Sequence, residues 1–86
     1  MPEVSRFFGI IIQVFFNDHY PAHFHAVYGE HEALIEIETL QVYRGGLPRR
    51  ALALVLEWAS LRRPELRRDW DLARRGEPPE PIPPLD

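Results

Sequence analysis

Gly45 and Gly46 divide the chain into two parts with different hydrophobic periodicity. Before them, short runs of β-branched and aromatic residues alternate with turn residues, which is typical of strands. After them, apolar residues recur at helical spacing. Strands followed by helices predict an α+β domain with an antiparallel β-meander of three to four strands, then two helices, the main helix packing on one sheet face.

The strand-forming part contains four candidate segments. Phe8–Phe16 is apolar at almost every position and predicts one central strand covered on both faces. His23–Tyr28 and Glu32–Ile37 predict a hairpin around a two-residue Gly29-Glu30 turn. Gln41–Arg44 predicts a weak fourth strand.

The turn fixes the pairing of the hairpin. Gly29-Glu30 places Phe24 opposite Ile35 on an apolar face, which we assign to the core. On the other face it places His23 opposite Glu36, close enough for a hydrogen bond.

The helical part begins with Leu47–Arg63, where Pro48 suits the first turn. A second helix is predicted from Pro64 to about Arg75, with Gly76 as its C-terminal stop. Trp58 and Trp70 lie at helical spacing and are predicted to be core residues that pack near each other.

Residues 1–76 are therefore predicted to form a single domain, and residues 77–86 an extended proline-rich tail. Ile82 and Leu85 are the candidate anchors of that tail. No apolar run is long enough to span a membrane, and the chain has no cysteine. We expect a cytoplasmic protein that contains neither disulfides nor a thiolate zinc site.

Charge is unevenly distributed along the chain. Residues 1–43 hold one Arg and six acidic residues (−5), residues 44–76 nine Arg and four acidic residues (+5), and residues 77–86 three acidic residues (−3), which sum to −3. The basic helical part would suit nucleic acid or an acidic protein partner. Because the total charge is negative, a solvated helical surface is the simpler interpretation.

Three of the four histidines follow Asp18 within seven residues, namely His19, His23 and His25. They occupy the polar turn Asn17–Ala22 and one face of the next strand. This clustering selects Asp18, His19, His23 and His25 as candidate functional residues, with an acid/base or catalytic role.

Three interpretations of the histidines remain open. They could fill a polar sheet face as structural residues, or one imidazole oriented by a carboxylate could transfer protons, as in metal-independent nucleases. Alternatively, His23, His25 and Glu36 could bind a divalent cation. A functional patch is expected to be partly accessible to solvent, and alanine at either histidine should then cost little stability. No cofactor is predicted.

The segment D-H-Y-P-A-H-F-H (Asp18–His25) resembles the D-H-x-P-x-H-F-H signature of a bacterial family known as domain of unknown function 4160. The opening residues 2–10, Tyr28-Gly29, residues 47–59, Trp70 and residues 76–85 are similar as well. The sequence has Ala22 where that family more often has proline.

The resemblance implies a small component of a bacterial toxin–antitoxin-type gene pair, encoded beside a protein of domain of unknown function 2442. We therefore expect a small cognate protein as partner. RNA and a second copy of the chain are further candidates, and no membrane partner is expected. If the chain is the toxin, histidine-dependent RNA cleavage is the expected reaction. The alternative is a non-enzymatic interaction or adaptor domain with structural histidines.

Overall fold

A computed structural model describes residues 3–16 and 18–86. Five antiparallel strands in the order β1-β2-β3-β4-β5 form one sheet, and two helices follow it in the chain. The elements are β1 Glu3–Phe7, β2 Ile10–Gln13, β3 His23–Tyr28, β4 His31–Glu36, β5 Val42–Gly45, α1 Arg49–Leu61 and α2 Arg63–Arg74. The predicted α+β meander with two helices is confirmed. No helix within the described residues combines the length and apolarity needed to cross a membrane.

The single strand predicted over Phe8–Phe16 is wrong at both ends. Phe8 and Gly9 form a turn with φ of 50° and 79°, and the residues before it form the additional strand β1. Two-residue hairpin loops with positive φ at both central residues usually contain asparagine and glycine. Because the first of these positions is Phe8, the sequence does not indicate the turn. β2 ends at Gln13. Asn17, within the predicted turn Asn17–Ala22, lies outside the described residues.

The hairpin register is confirmed at every pair. Phe24 lies opposite Ile35 and His23 opposite Glu36. Phe24, Ala26, Ala33 and Ile35 are fully buried and form the core side of the hairpin. The fourth predicted strand, Gln41–Arg44, corresponds to β5 and pairs with β4.

Gly45 ends β5 where only glycine fits. Its φ is 71°, and a Cβ at this position would overlap the carbonyl oxygen of Glu32 on the paired strand. The sequence break at Gly45-Gly46 therefore reflects a close approach between two backbones.

The main helix packs on the sheet through the buried Trp58, as predicted. Trp58 is 1% exposed, and its ring centroid lies 5.3 Å from that of Phe7 and 6.0 Å from that of Phe24. Trp70 is 3% exposed, but its aromatic contacts are with Tyr20 and His23 instead of Trp58. Trp70 of the second helix thus covers Tyr20 and His23, while Trp58 of the first helix packs on the apolar core.

The proline-rich tail has no helix or strand and packs against the domain. Gly76 follows α2 with a φ of 76°, the conformation of a glycine helix stop. Ile82 is buried, and its backbone N–H donates to the carbonyl of Val4 (2.7 Å). Trp58 Nε1–H donates to the carbonyl of Pro83 (2.8 Å). Ile82 therefore anchors the tail as predicted, and Leu85 is half-buried against the core.

A buried carboxyl also holds the tail. Asp69 on α2 is 1% exposed, and its Oδ1 accepts the backbone N–H of Glu80 (2.8 Å). Within the described residues its Oδ2 has no hydrogen-bond partner. Burial, the largest cause, raises the pKa of Asp69 from 3.8 to about 6.

This raised pKa predicts a pH dependence of stability. The folded state binds the Asp69 proton more tightly than the unfolded state, so the stabilisation from this group is complete below 3.8 and is lost as pH rises through about 6. Asp69→Asn keeps the acceptor for Glu80 but cannot ionise, so it should gain stability relative to wild type across that window. Urea unfolding of both proteins from pH 4 to pH 8 measures the difference. Parallel pH profiles would contradict the assignment.

Candidate functional site

The sheet face opposite the core carries the candidate site at the start of β3. Alternation along the strand places His23 and His25 on this face, with Phe24 between them in the core. Gln13 of β2 pairs with His25, and Glu36 of β4 pairs with His23. The predicted face of both histidines is therefore confirmed.

Asp18 joins the two histidines through one oxygen. Its Oδ2 lies 2.9 Å from His23 Nε2 and 2.9 Å from His25 Nε2. Its Oδ1 accepts the backbone N–H of His19 (2.9 Å). We call Asp18, His23 and His25 the Asp-His cluster.

The second ring nitrogen of each histidine is also held. His23 Nδ1–H donates to the carbonyl of Pro21 (2.7 Å), and His25 Nδ1–H donates to Glu32 Oε2 (3.0 Å). With hydrogens on both Nδ1 atoms, two Nε2 atoms and one carboxylate oxygen converge. Neutral imidazole has a lone pair at Nε2, so a proton or a cation must lie between these atoms.

Aromatic side chains enclose the Asp-His cluster. Phe15 stacks on His25 with a ring-centroid distance of 4.3 Å. His23 lies between Trp70 (5.2 Å) and Tyr43 (5.4 Å). Such packing fixes the orientation of both imidazoles.

Burial differs among the three members of the cluster. His23 is 2% and His25 8% exposed, whereas the Asp18 side chain is 22% exposed. The expectation of accessible histidines is therefore wrong for both rings, since His23 and His25 are buried and all four of their nitrogens have hydrogen-bond partners within the protein. Solvent reaches the cluster mainly from the Asp18 side.

Opposing effects act on the Asp18 carboxyl. Burial, the largest effect, raises its pKa, but hydrogen bonds from His25 and the His19 backbone, with the charges of both imidazoles, outweigh it. The pKa of Asp18 therefore lies below its ordinary value. A carboxylate that stays ionised in a partly buried position is suited to accept hydrogen bonds or to bind a cation.

Helix α2 contacts the loop that carries Asp18 and Tyr20. Arg74 Nη1 donates to the backbone carbonyl of Asp18 (3.0 Å), and its guanidinium lies 4.5 Å from the centroid of the Tyr20 ring. The edge of the Tyr20 ring also packs on Trp70. Two parts of the chain that are far apart in sequence thus position the same carboxylate.

The structure brings three of the four predicted residues together and separates the fourth. Asp18, His23 and His25 meet, while His19 is exposed and contributes only its backbone N–H to the cluster. The predicted hydrogen bond between His23 and Glu36 is absent from the described residues, because Asp18 and Pro21 take both nitrogens of His23. The predicted metal-ligand set with Glu36 therefore has the wrong carboxylate.

Sequence reasoning missed Glu32 and the aromatic residues around the site. Glu32 pairs with Val27, so it lies diagonally from His25 on the same face. Diagonal neighbours are within reach of long side chains, and the predicted register already contained this signal. Phe15, Tyr43 and Trp70 gave no comparable signal.

The comparisons with known proteins identify one family. The model of the family described as domain of unknown function (DUF4160) matches residues 9–71, which include the whole Asp-His cluster. No curated protein and no solved structure shows a significant match to the chain. Since the match covers well over half of the chain, this protein belongs to the DUF4160 family.

Proposed function

We propose that the chain is a cytoplasmic protein-interaction domain, the partner-binding component of a small bacterial toxin–antitoxin-type gene pair. The gene-pair context comes from the family resemblance alone. An interaction role is supported by an exposed aromatic residue, Phe8, held in a backbone conformation that disfavours it. This observation carries the proposal.

Phe8 sits at the tip of the β1–β2 hairpin with a φ of 50° and is 58% exposed. The left-handed conformation costs a residue with a Cβ roughly 1–2 kcal/mol, and an exposed phenylalanine gains little burial in return. Asparagine or glycine would serve the turn better. A residue that is unfavourable for folding at an exposed tip points to a role in binding.

The surroundings of Phe8 form an apolar docking surface. A cavity of about 210 Å³ lies beside its ring and is lined by Phe8, Ile10, Tyr28, Pro48, Arg50, Ala51 and Leu54. We call this the Phe8 surface. Tyr28, at 38% exposed, extends it along β3.

Charge on the Phe8 surface indicates the partner. Arg50 is its only charged lining residue, and within residues 3–16 and 18–86 it forms no ion pair. The surface therefore suits a protein segment that inserts an aromatic or aliphatic side chain and places an acidic residue against Arg50. The cognate small protein implied by the resemblance, of domain of unknown function 2442, is the proposed occupant.

The variant Phe8→Asn separates binding from folding. Asparagine tolerates the left-handed conformation, so thermal stability should stay equal or rise. Affinity for the product of the neighbouring gene should fall at least about tenfold, as expected for loss of an aromatic hot spot. Isothermal titration calorimetry gives the affinity, and circular dichroism gives the melting temperature.

Leu61→Gln is the matched control. Leu61 is 65% exposed at the end of α1 and does not line the cavity. Removing it lowers exposed apolar area without touching the Phe8 surface, so affinity should not change. Equal affinity of Phe8→Asn and wild type, or an equal loss for both variants, would reject the docking surface.

Histidine-dependent RNA cleavage is the second candidate. It is favoured by the carboxylate of Asp18 bonded to two imidazoles, an arrangement that orients histidines for proton transfer. The enclosure of His23 disfavours it, because no ring nitrogen of His23 is available to a substrate. The Glu32 side chain is 50% exposed, so its bond to His25 is the contact that a substrate would displace. Cleavage of RNA by wild type but not by folded His25→Asn would establish this activity, and absence of cleavage by wild type would exclude it.

A further inference from the structure

The Asp-His cluster has the arrangement of atoms that a metal ion requires. One ligand atom from each of Asp18, His23 and His25 lies within 4.8 Å of the other two. We propose that this cluster binds one divalent transition-metal ion through Asp18 Oδ2, His23 Nε2 and His25 Nε2. This inference goes beyond the proposed function and stands without it, since the Phe8 surface is a separate site.

The distances fit coordination by adjacent ligands. An octahedral ion with bonds of about 2.1 Å separates neighbouring ligand atoms by about 3.0 Å, and a tetrahedral one by about 3.4 Å. Asp18 Oδ2 lies 2.9 Å from each Nε2 atom. The two Nε2 atoms lie within 4.8 Å of each other. Both pairs that include Asp18 therefore have the spacing of adjacent octahedral ligands, and all three atoms are close enough to contact one ion.

The hydrogen bonds around the cluster are those of metal-binding histidines. A histidine that ligates a metal through Nε2 usually donates its Nδ1–H to a carbonyl or a carboxylate. His23 donates to the carbonyl of Pro21 and His25 to the carboxylate of Glu32. When an ion replaces the hydrogens between Asp18 and the two Nε2 atoms, these two bonds keep a hydrogen on each Nδ1 atom and leave the Nε2 lone pairs for the ion.

The donor set indicates the class of metal. Two imidazoles and one carboxylate on one side of an ion leave positions open, as in the facial triads that bind Fe²⁺. The same donors suit Zn²⁺, Co²⁺ and Ni²⁺, while Mg²⁺ and Ca²⁺ prefer oxygen ligands alone. The partial exposure of Asp18 places the open positions and the route of entry on its side.

Titration of the metal-free full chain with Co²⁺ and with Zn²⁺ tests the site. We expect one equivalent to bind, with a visible Co²⁺ absorption band and a higher melting temperature. Asp18→Asn should lower affinity at least about tenfold, and Glu32→Gln should lower it about 10–100-fold, as for other partners of ligating histidines.

Two controls separate this site from incidental binding. His19→Ala removes an adjacent exposed histidine, and Glu36→Gln removes the carboxylate opposite His23. Both should retain wild-type affinity. If Asp18→Asn does not fold, paramagnetic shifts of wild-type His23 and His25 on Co²⁺ binding locate the ion instead. The proposal is overturned by wild type that binds neither metal, by Asp18→Asn at full affinity, or by Co²⁺ shifts that affect other histidines.

Discussion

The Trp58→Ala variant is expected to lose about 3–5 kcal/mol of unfolding free energy, the usual cost of truncating a fully buried tryptophan. Trp58 is 1% exposed and contacts Phe7 of β1 and Phe24 of β3. Its removal also leaves the carbonyl of Pro83 without its donor. Native proteins have roughly 5–15 kcal/mol of stability in total, so a domain of 86 residues should lose a large part of its unfolding free energy.

Equilibrium unfolding in urea measures this loss, with circular dichroism as the probe. Trp58→Phe preserves most of the packing but removes the hydrogen bond to Pro83, and it should cost less than half as much. Leu61→Ala on the exposed side of the same helix should change stability by no more than about 0.5 kcal/mol. If Trp58→Ala unfolded at the wild-type urea concentration, the assignment of Trp58 as the centre of the core would be wrong.

The sequence predicts the hairpin register well because two independent signals agree. Period-two alternation assigns Phe24 and Ile35 to the core, and the Gly29-Glu30 turn fixes the same pairing. In the β1–β2 hairpin, the alternation of apolar residues and the turn residues do not indicate the same pairing. Its turn contains Phe8 at a position that turn rules reserve for other residues, and the apolar residues around it read as one continuous strand.

The candidate site is predictable only as far as strand geometry extends. Alternation places His23 and His25 on one face, and the preceding turn brings Asp18 near them. Whether Glu36 or Asp18 bonds to His23 depends on the path of the loop between β2 and β3. Short-range sequence patterns do not determine that path. The packing of Trp70 on His23 depends on the position of a helix more than forty residues later in the sequence, and helix periodicity indicates burial without naming the contact.

The burial of the Asp-His cluster changes the result that is expected from a histidine substitution. For an accessible patch, alanine at His23 would cost little stability and remove function. For a ring that is 2% exposed and bonded at both nitrogens, the same change creates a cavity between Trp70 and Tyr43. A substitution at His23 is therefore expected to lower stability whatever else it changes, and one at Asp18, which is closer to solvent, is expected to lower it less.

We expect His23→Ala to lower the unfolding free energy by about 3 kcal/mol, from the lost packing and from the loss of one hydrogen bond at each of two acceptors. The acceptors are the carbonyl of Pro21 and Oδ2 of Asp18, which would retain only the bond from His25. Urea unfolding with a chelator present measures the protein contribution alone, since a bound metal ion would add its own stabilisation. His19→Ala is the control, because that exposed ring should change stability by no more than about 0.5 kcal/mol. A loss at His23 as small as that at His19 would mean that the ring is not enclosed in solution, and the histidines would again be candidates for direct contact with a substrate.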